Sequence, residues 1–149
     1  MPMTGTERTE TLAEMARGHH ELTELLDSLD SSDLERPNTV GHWSGKDVLS
    51  HIAAWEVEAT HFVGAHDAGS DEPLIDESQF DAFNEENVSR TRDWTLAQVR
   101  AYVESAHLDF VNACRNSPTV TPGFATGLSS HHYDEHMGQF RGMRSKSGT

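Results

Sequence analysis

The sequence predicts an all-helical protein, a bundle of four main helices, from three observations. Apolar residues recur at intervals of three and four along four stretches of the chain, which is the period of an amphipathic helix. Serine or threonine precedes several of these stretches, at the position that caps a helix start. No segment combines the alternation of a strand with the turn residues of a hairpin. We therefore expect any binding site to be built from side chains on facing helices.

The first two predicted helices lie in the first half of the chain. The first spans residues 6–29, and residues 30–44 form a turn-rich connection in which residues 33–35 can make one short helical turn. The second begins after Ser44, which forms a capping-box-like pair with Asp47. It ends near His66.

In the second half of the chain we expect a third helix, divided into two pieces, and a fourth helix. An acidic loop over residues 67–78 leads to a modest helix over residues 80–92, and Thr95 opens a second piece that continues through Val111. Pro118, Pro122 and Gly123 predict a loop. Ser129 or Ser130 caps a last helix over residues 131–143, and the tail over residues 144–149 should be frayed. The length of 149 residues predicts one domain over residues 1–149.

Composition excludes several classes of function. The net charge is −14, and the 11 basic residues are scattered, which argues against nucleic acid and anionic membranes as partners. No apolar run is long enough to span a membrane, and the first ten residues are polar, so we expect a cytoplasmic protein. The single cysteine excludes an internal disulfide and a cysteine-rich metal site within one chain.

Three of the ten histidines are candidate metal ligands. His132 and His136 are four residues apart, so on a helix both can reach one ion, although two exposed histidines would give the same spacing. His51 lies in a largely apolar stretch, where an unpaired imidazole is costly to bury. A core histidine bonded to a backbone carbonyl or a tyrosine hydroxyl is the alternative for His51. Three neutral imidazoles with an open position suit zinc, with nickel, iron or copper as other candidates.

Three segments resemble the DinB-like superfamily. That superfamily includes mycothiol-dependent maleylpyruvate isomerases, bacillithiol transferases and the colibactin self-resistance group. The resemblance lies in the stretch from His42 to Glu56, with its Trp-Ser-x-Lys-Asp start and Ala-Trp-Glu end, and in the segments 81–84 and 132–136. It extends over most of residues 12–141 and implies a four-helix bundle of DinB-like type. In metal-binding members the histidine that matches His51 is the first ligand, and the last helix supplies the others.

The resemblance implies a function in thiol chemistry. The first hypothesis is a metal-dependent thiol S-transferase or isomerase, which joins a low-molecular-weight thiol, such as mycothiol, to an electrophilic small molecule. A bound cation would favour the deprotonated thiol. The alternatives are a self-resistance protein that binds or hydrolyses a reactive natural product, and a non-catalytic bundle that binds a metal or ligand. The family also implies a homodimer.

Other polar and aromatic residues near these histidines have structural interpretations. Asp134 and Glu135 are rotated off the face of the histidine pair, so we expect them to be carboxylates at the surface. The alternative is that they support the ligands through hydrogen bonds. We expect Trp43 and Trp55 to pack in the core rather than to contact a substrate. We expect Cys114 to be buried and to act as a small apolar residue.

Overall fold

The computed structural model describes residues 3–144 and contains, over that range, seven α-helices and one 3-10 helical turn. The four long helices of the bundle are α1 (Gly5–Asp27), α3 (Gly45–Asp67), α5 (Leu96–Asn116) and α7 (Ser130–Gly142). The connections contain α2 (Ser31–Glu35), the 3-10 turn (Glu77–Gln79), α4 (Phe80–Arg90) and α6 (Pro122–Gly127). No β-strand occurs in residues 3–144, which confirms the predicted all-helical bundle.

Capping boxes fix the starts of three of the four long helices, α1, α3 and α5. The Ser44 hydroxyl accepts a hydrogen bond from the backbone of Asp47, whose carboxylate accepts one from the backbone of Ser44, as the sequence predicts. Thr95 and Gln98 form the same reciprocal pair at the start of α5. These pairs satisfy backbone donors that have no partner within the helix.

The second half of the chain differs from the prediction in three places. The predicted loop after Pro118 contains α6, because Thr121 caps it and Pro122 occupies the first helical turn, where no backbone N–H is needed. The two pieces of the third helix are separate helices, α4 and α5. Ser129 is the residue before α7, but its hydroxyl donates to the Ala125 carbonyl at 2.7 Å instead of capping α7.

The tail is described only as far as Arg144, whose guanidinium donates to the Ser28 hydroxyl at 2.8 Å. The rest of the predicted frayed tail, residues 145–149, lies outside the described residues.

The bundle encloses two groups of buried apolar side chains. In the bundle, α3 lies along α5 and α1 lies along α7. The larger group fills the space between all four long helices and includes Leu22, Leu49, Val103 and Phe140. The smaller group lies nearer the C-terminal ends of α3 and α5 and includes Val63, Phe110 and Cys114. Burial of these side chains is the main favourable contribution to folding.

No helix in the described part of the chain is long and apolar enough to cross a membrane.

Candidate metal centre

His51 reaches the site because the start of α3 is fixed. Counting from the cap at Ser44, His51 lies about two turns into the helix. It is surrounded there by apolar side chains that are fully buried, Val48, Leu49 and Ile52. Only 7% of His51 is exposed, so its ring must find polar partners inside the protein.

His132 and His136 lie one turn apart on α7, as their spacing predicts. The adjoining face of the same helix carries Tyr133, Met137 and Phe140, all buried in the core. Packing on that side sets the rotation of α7. Both histidines consequently face His51 on α3.

The three imidazoles converge on one point. The Nε2 atom of His132 lies 3.2 Å from Nε2 of His51 and 3.2 Å from Nε2 of His136. One nitrogen from each of the three rings lies within 4.8 Å of the other two. The structure therefore brings together all three residues that the sequence nominates as metal ligands. Metal binding by them stays a prediction.

The tautomer of His51 follows from its neighbours. The indole Nε1–H of Trp55 donates to Asn84 Oδ1 at 2.7 Å, and because an indole can only donate, that atom must be the amide oxygen. His51 Nδ1 lies 3.1 Å from the same oxygen, so this nitrogen carries the proton. A neutral imidazole has one N–H, and the Nε2 atom of His51 therefore presents a lone pair to the other two rings.

His136 is oriented in the same way by a residue of its own helix. Its Nδ1 lies 2.6 Å from Gln139 Oε1 and donates to it, which leaves a lone pair on Nε2. His132 stands between two such lone pairs and can donate to only one of them. Its Nδ1 atom is buried with no hydrogen-bond partner among residues 3–144. Two lone pairs directed at a third imidazole nitrogen fit a shared cation better than a closed set of hydrogen bonds.

Burial keeps two of the rings neutral. Burial, with a smaller contribution from His136, lowers the pKa of His51 to about 4. The pKa of His132 falls to about 3, again mainly through burial and then through the two neighbouring rings. Metal ligation requires neutral imidazole. These two ligands are therefore already in the binding form at neutral pH.

A pocket of about 360 Å³ opens beside the histidines. Its wall contains Trp55, Leu74, Phe80, Asn84, Gly127, Leu128 and Glu135 together with the three histidines. The sequence predicts Trp55 as a core residue; it is 7% exposed, and it also forms part of the pocket wall. A ligand in this pocket would contact the open side of the three-histidine group.

Two carboxylates between the α7 histidines, Asp134 and Glu135, lie at the surface, as predicted. Asp134 is exposed and lies 3.6 Å from the guanidinium of Arg17, and His131 is also exposed. Glu135 is also exposed, but it forms part of the pocket wall. Of the two carboxylates, Glu135 is therefore the one that a bound ligand would meet.

Cys114 is fully buried in the smaller apolar group, as predicted. Burial raises the pKa of its thiol to about 12, so the thiol stays protonated and is a poor nucleophile. A thiol for chemistry at the histidines would have to come from outside the protein.

Sequence analysis missed the polar contacts that hold α7 in place. The Tyr133 hydroxyl donates to the Glu56 carboxylate on α3, and His107 on α5 donates from Nδ1 to the Tyr133 oxygen at 2.7 Å. Burial raises the pKa of Glu56, although the contacts with His107 and Tyr133 oppose this. No sequence spacing could have predicted this cluster, because its members come from three helices. Gln139 could have been found, since it lies three residues after His136 on the same helix.

Comparison with known proteins places the fold and the site in context. Residues 15–132 match the family model described as the mycothiol maleylpyruvate isomerase N-terminal domain. An uncharacterised protein from Escherichia coli UTI89, known from a crystal structure, has a similar fold, with a TM-score of 0.76 at 14% identity over 90% of each chain. No curated protein matches the sequence. The matched segment contains His51 and His132, and His136 lies just beyond its end.

Proposed function

Because the chain belongs to the mycothiol maleylpyruvate isomerase N-terminal domain family, we propose that it is a metal-dependent thiol transferase or isomerase. Its reaction would join a low-molecular-weight thiol to a small-molecule electrophile. The observation that carries this proposal is the convergence of three imidazole nitrogens, with 3.2 Å between Nε2 atoms, at the edge of an open pocket. The family is associated with mycothiol and metal, and the self-resistance alternative has no comparable observation in its favour.

The residues divide into ligands and supports. His51, His132 and His136 would hold one divalent cation, for which zinc is the first candidate and nickel or iron are alternatives. Asn84 holds the tautomer of His51, and Gln139 does the same for His136. These fixed tautomers keep the Nε2 lone pairs of His51 and His136 directed inward before any ion arrives.

The chemistry is nucleophilic addition or substitution by sulfur. A divalent cation with an open position lowers the pKa of a thiol there. The thiol loses its proton to solvent, and its sulfur forms a bond to an electrophilic carbon of the substrate. The electron pair displaced from that carbon moves to a leaving group or into a conjugated carbonyl, which solvent then protonates. The apolar wall of the pocket would hold the electrophile against the histidines.

Cobalt substitution tests this proposal without a known substrate. Cobalt-loaded protein should show the visible bands of a four-coordinate site, and addition of 2-mercaptoethanol should add a thiolate-to-cobalt band in the near ultraviolet. His51→Ala should abolish both signals. His20→Ala should keep them, because the His20 side chain is 72% exposed on α1 and outside the site. Cobalt spectra that do not respond to the thiol would contradict thiol chemistry at this site.

A homodimer and a cytoplasmic location stay predictions. Size-exclusion chromatography with light scattering would test the first of them.

A further inference from the structure

We propose that the pocket beside the three histidines takes a neutral or cationic electrophile with an apolar body, and excludes dicarboxylates. This inference rests on the proposed function, since it names the class of electrophile that would react at that site. It separates this chain from the substrate in its family's name, because maleylpyruvate carries two carboxylates. The argument uses the wall of the pocket, the charges around it and the charge of the site itself.

The wall offers an apolar bed for the body of the substrate. Leu74 from the loop after α3, Phe80 at the start of α4 and Leu128 after α6 are all partly exposed, so a ligand can cover them. Trp55 stands behind them, with its ring edge against Phe80 at a centroid distance of 5.1 Å. Aromatic rings at a pocket wall also attract organic cations.

The charges in the pocket wall and in the segment that supplies part of it are negative. Among the described residues of the pocket wall, Glu135 is the one that carries a fixed charge, and none is lysine or arginine. The segment that supplies Leu74, Phe80 and Asn84, residues 67–86, contains eight acidic residues and no basic residue. A dicarboxylate in this pocket would meet the like charge of Glu135 in the wall and, at longer range, the negative charge of this segment.

The ion would not reverse this balance. Three neutral imidazoles leave a bound divalent cation with two positive charges. One thiolate at the open position and the carboxylate of Glu135 together balance them. A dicarboxylate would then have no partner of opposite charge, whereas carboxylate recognition in proteins ordinarily uses arginine or lysine.

Binding of three benzyl compounds would test the proposal. Benzyltrimethylammonium is a cation that cannot ligate a metal, benzyl alcohol is neutral, and benzylmalonate is a dicarboxylate. The reporter is the indole N–H signal of Trp55 in ¹H–¹⁵N NMR spectra, assigned with Trp55→Phe. The titrations use the metal-free full chain, and then the zinc-loaded chain with 2-mercaptoethanol.

The expected result is an order of affinity from cation to neutral compound to dicarboxylate, with about tenfold between the first and the last. Glu135→Gln should weaken the cation about threefold and leave benzyl alcohol unchanged. Glu10→Gln makes the same charge change on an exposed residue of α1 outside the pocket and should change neither affinity.

Two outcomes would overturn the inference. One is tighter binding of benzylmalonate than of the cation in either form of the protein, and the other is no Trp55 shift with any of the three compounds. A chain that shows the expected order but binds no metal would refute the proposed function and support the charge preference of the pocket. The two failures are therefore distinguishable.

Discussion

Among the glycines of residues 3–144, Gly18 on α1 is the one packed most closely against another helix, beside the candidate metal centre, and it yields a quantitative prediction. A Cβ atom added at Gly18 on α1 would lie 2.7 Å from Cα of Ser130 and closer still to Cβ of that residue. Ordinary contact distances are 3.4–4 Å, so α1 and α7 would have to separate by about 1 Å. Ser130 is two residues before His132, and the displacement would therefore reach the ligands.

The stability effect of Gly18→Ala has two opposing parts. Overpacking costs about 3 kcal/mol at a site where backbone must move, and alanine returns about 1 kcal/mol of helix propensity. We expect the free energy of unfolding in urea to fall by about 2 kcal/mol. Zinc affinity should also fall by at least about tenfold, since metal ligands tolerate displacements of only about 0.2 Å.

Gly138→Ala is the matched control for this prediction. Gly138 is on α7 itself, and an added Cβ would find nothing within 4 Å. We expect the free energy of unfolding of this variant to rise by up to about 1 kcal/mol and its zinc affinity to equal that of the wild type. Wild-type stability and zinc affinity in Gly18→Ala would refute the claim that the α1–α7 contact positions the ligands.

Three further predictions follow from the polar contacts. Asn84→Ala removes the acceptor of His51 Nδ1–H, and zinc affinity in a chelator competition should fall by about tenfold or more; an unchanged affinity would contradict the support role. Tyr133→Phe removes the hydroxyl that donates to the buried Glu56 carboxylate and should lower the free energy of unfolding in urea by about 1–3 kcal/mol; no change would contradict a stabilising role for this contact. The free energy of unfolding of the metal-free protein should fall by up to about 3 kcal/mol through His51 alone as the pH falls from about 6.5 to 4. In the unfolded chain His51 takes up a proton at a pKa near 6.5, whereas in the folded chain it stays neutral down to about pH 4. A weaker pH dependence of the free energy of unfolding in His51→Gln would confirm that His51 is the source of the loss.

Periodicity and capping chemistry were sufficient to predict the bundle. The start of α3 is set by residues that are adjacent in sequence, Ser44 and Asp47, and local signals of this kind predict a helix register well. The short helix α6 was missed because proline and glycine dominate its composition, although a threonine followed by proline is also a helix-start signal.

The candidate site could be predicted only in part. The spacing of His132 and His136 is visible in the sequence, and the apolar surroundings of His51 are visible too. Asn84 lies in a segment that resembles the superfamily, but its contact with His51 has no counterpart in residue spacing, because it depends on the packing of α4 against α3. Contacts between distant segments depend on tertiary structure, which residue spacing does not encode.

Metal content of the purified protein tests the central claim most directly. Tag-free wild type, grown with zinc, should contain close to one equivalent of metal by elemental analysis. His51→Ala and His136→Ala should contain almost none, while His20→Ala should match wild type. No metal in wild type, even after zinc is added back, would contradict a metal centre at these three histidines, and so would full metal content in both site variants.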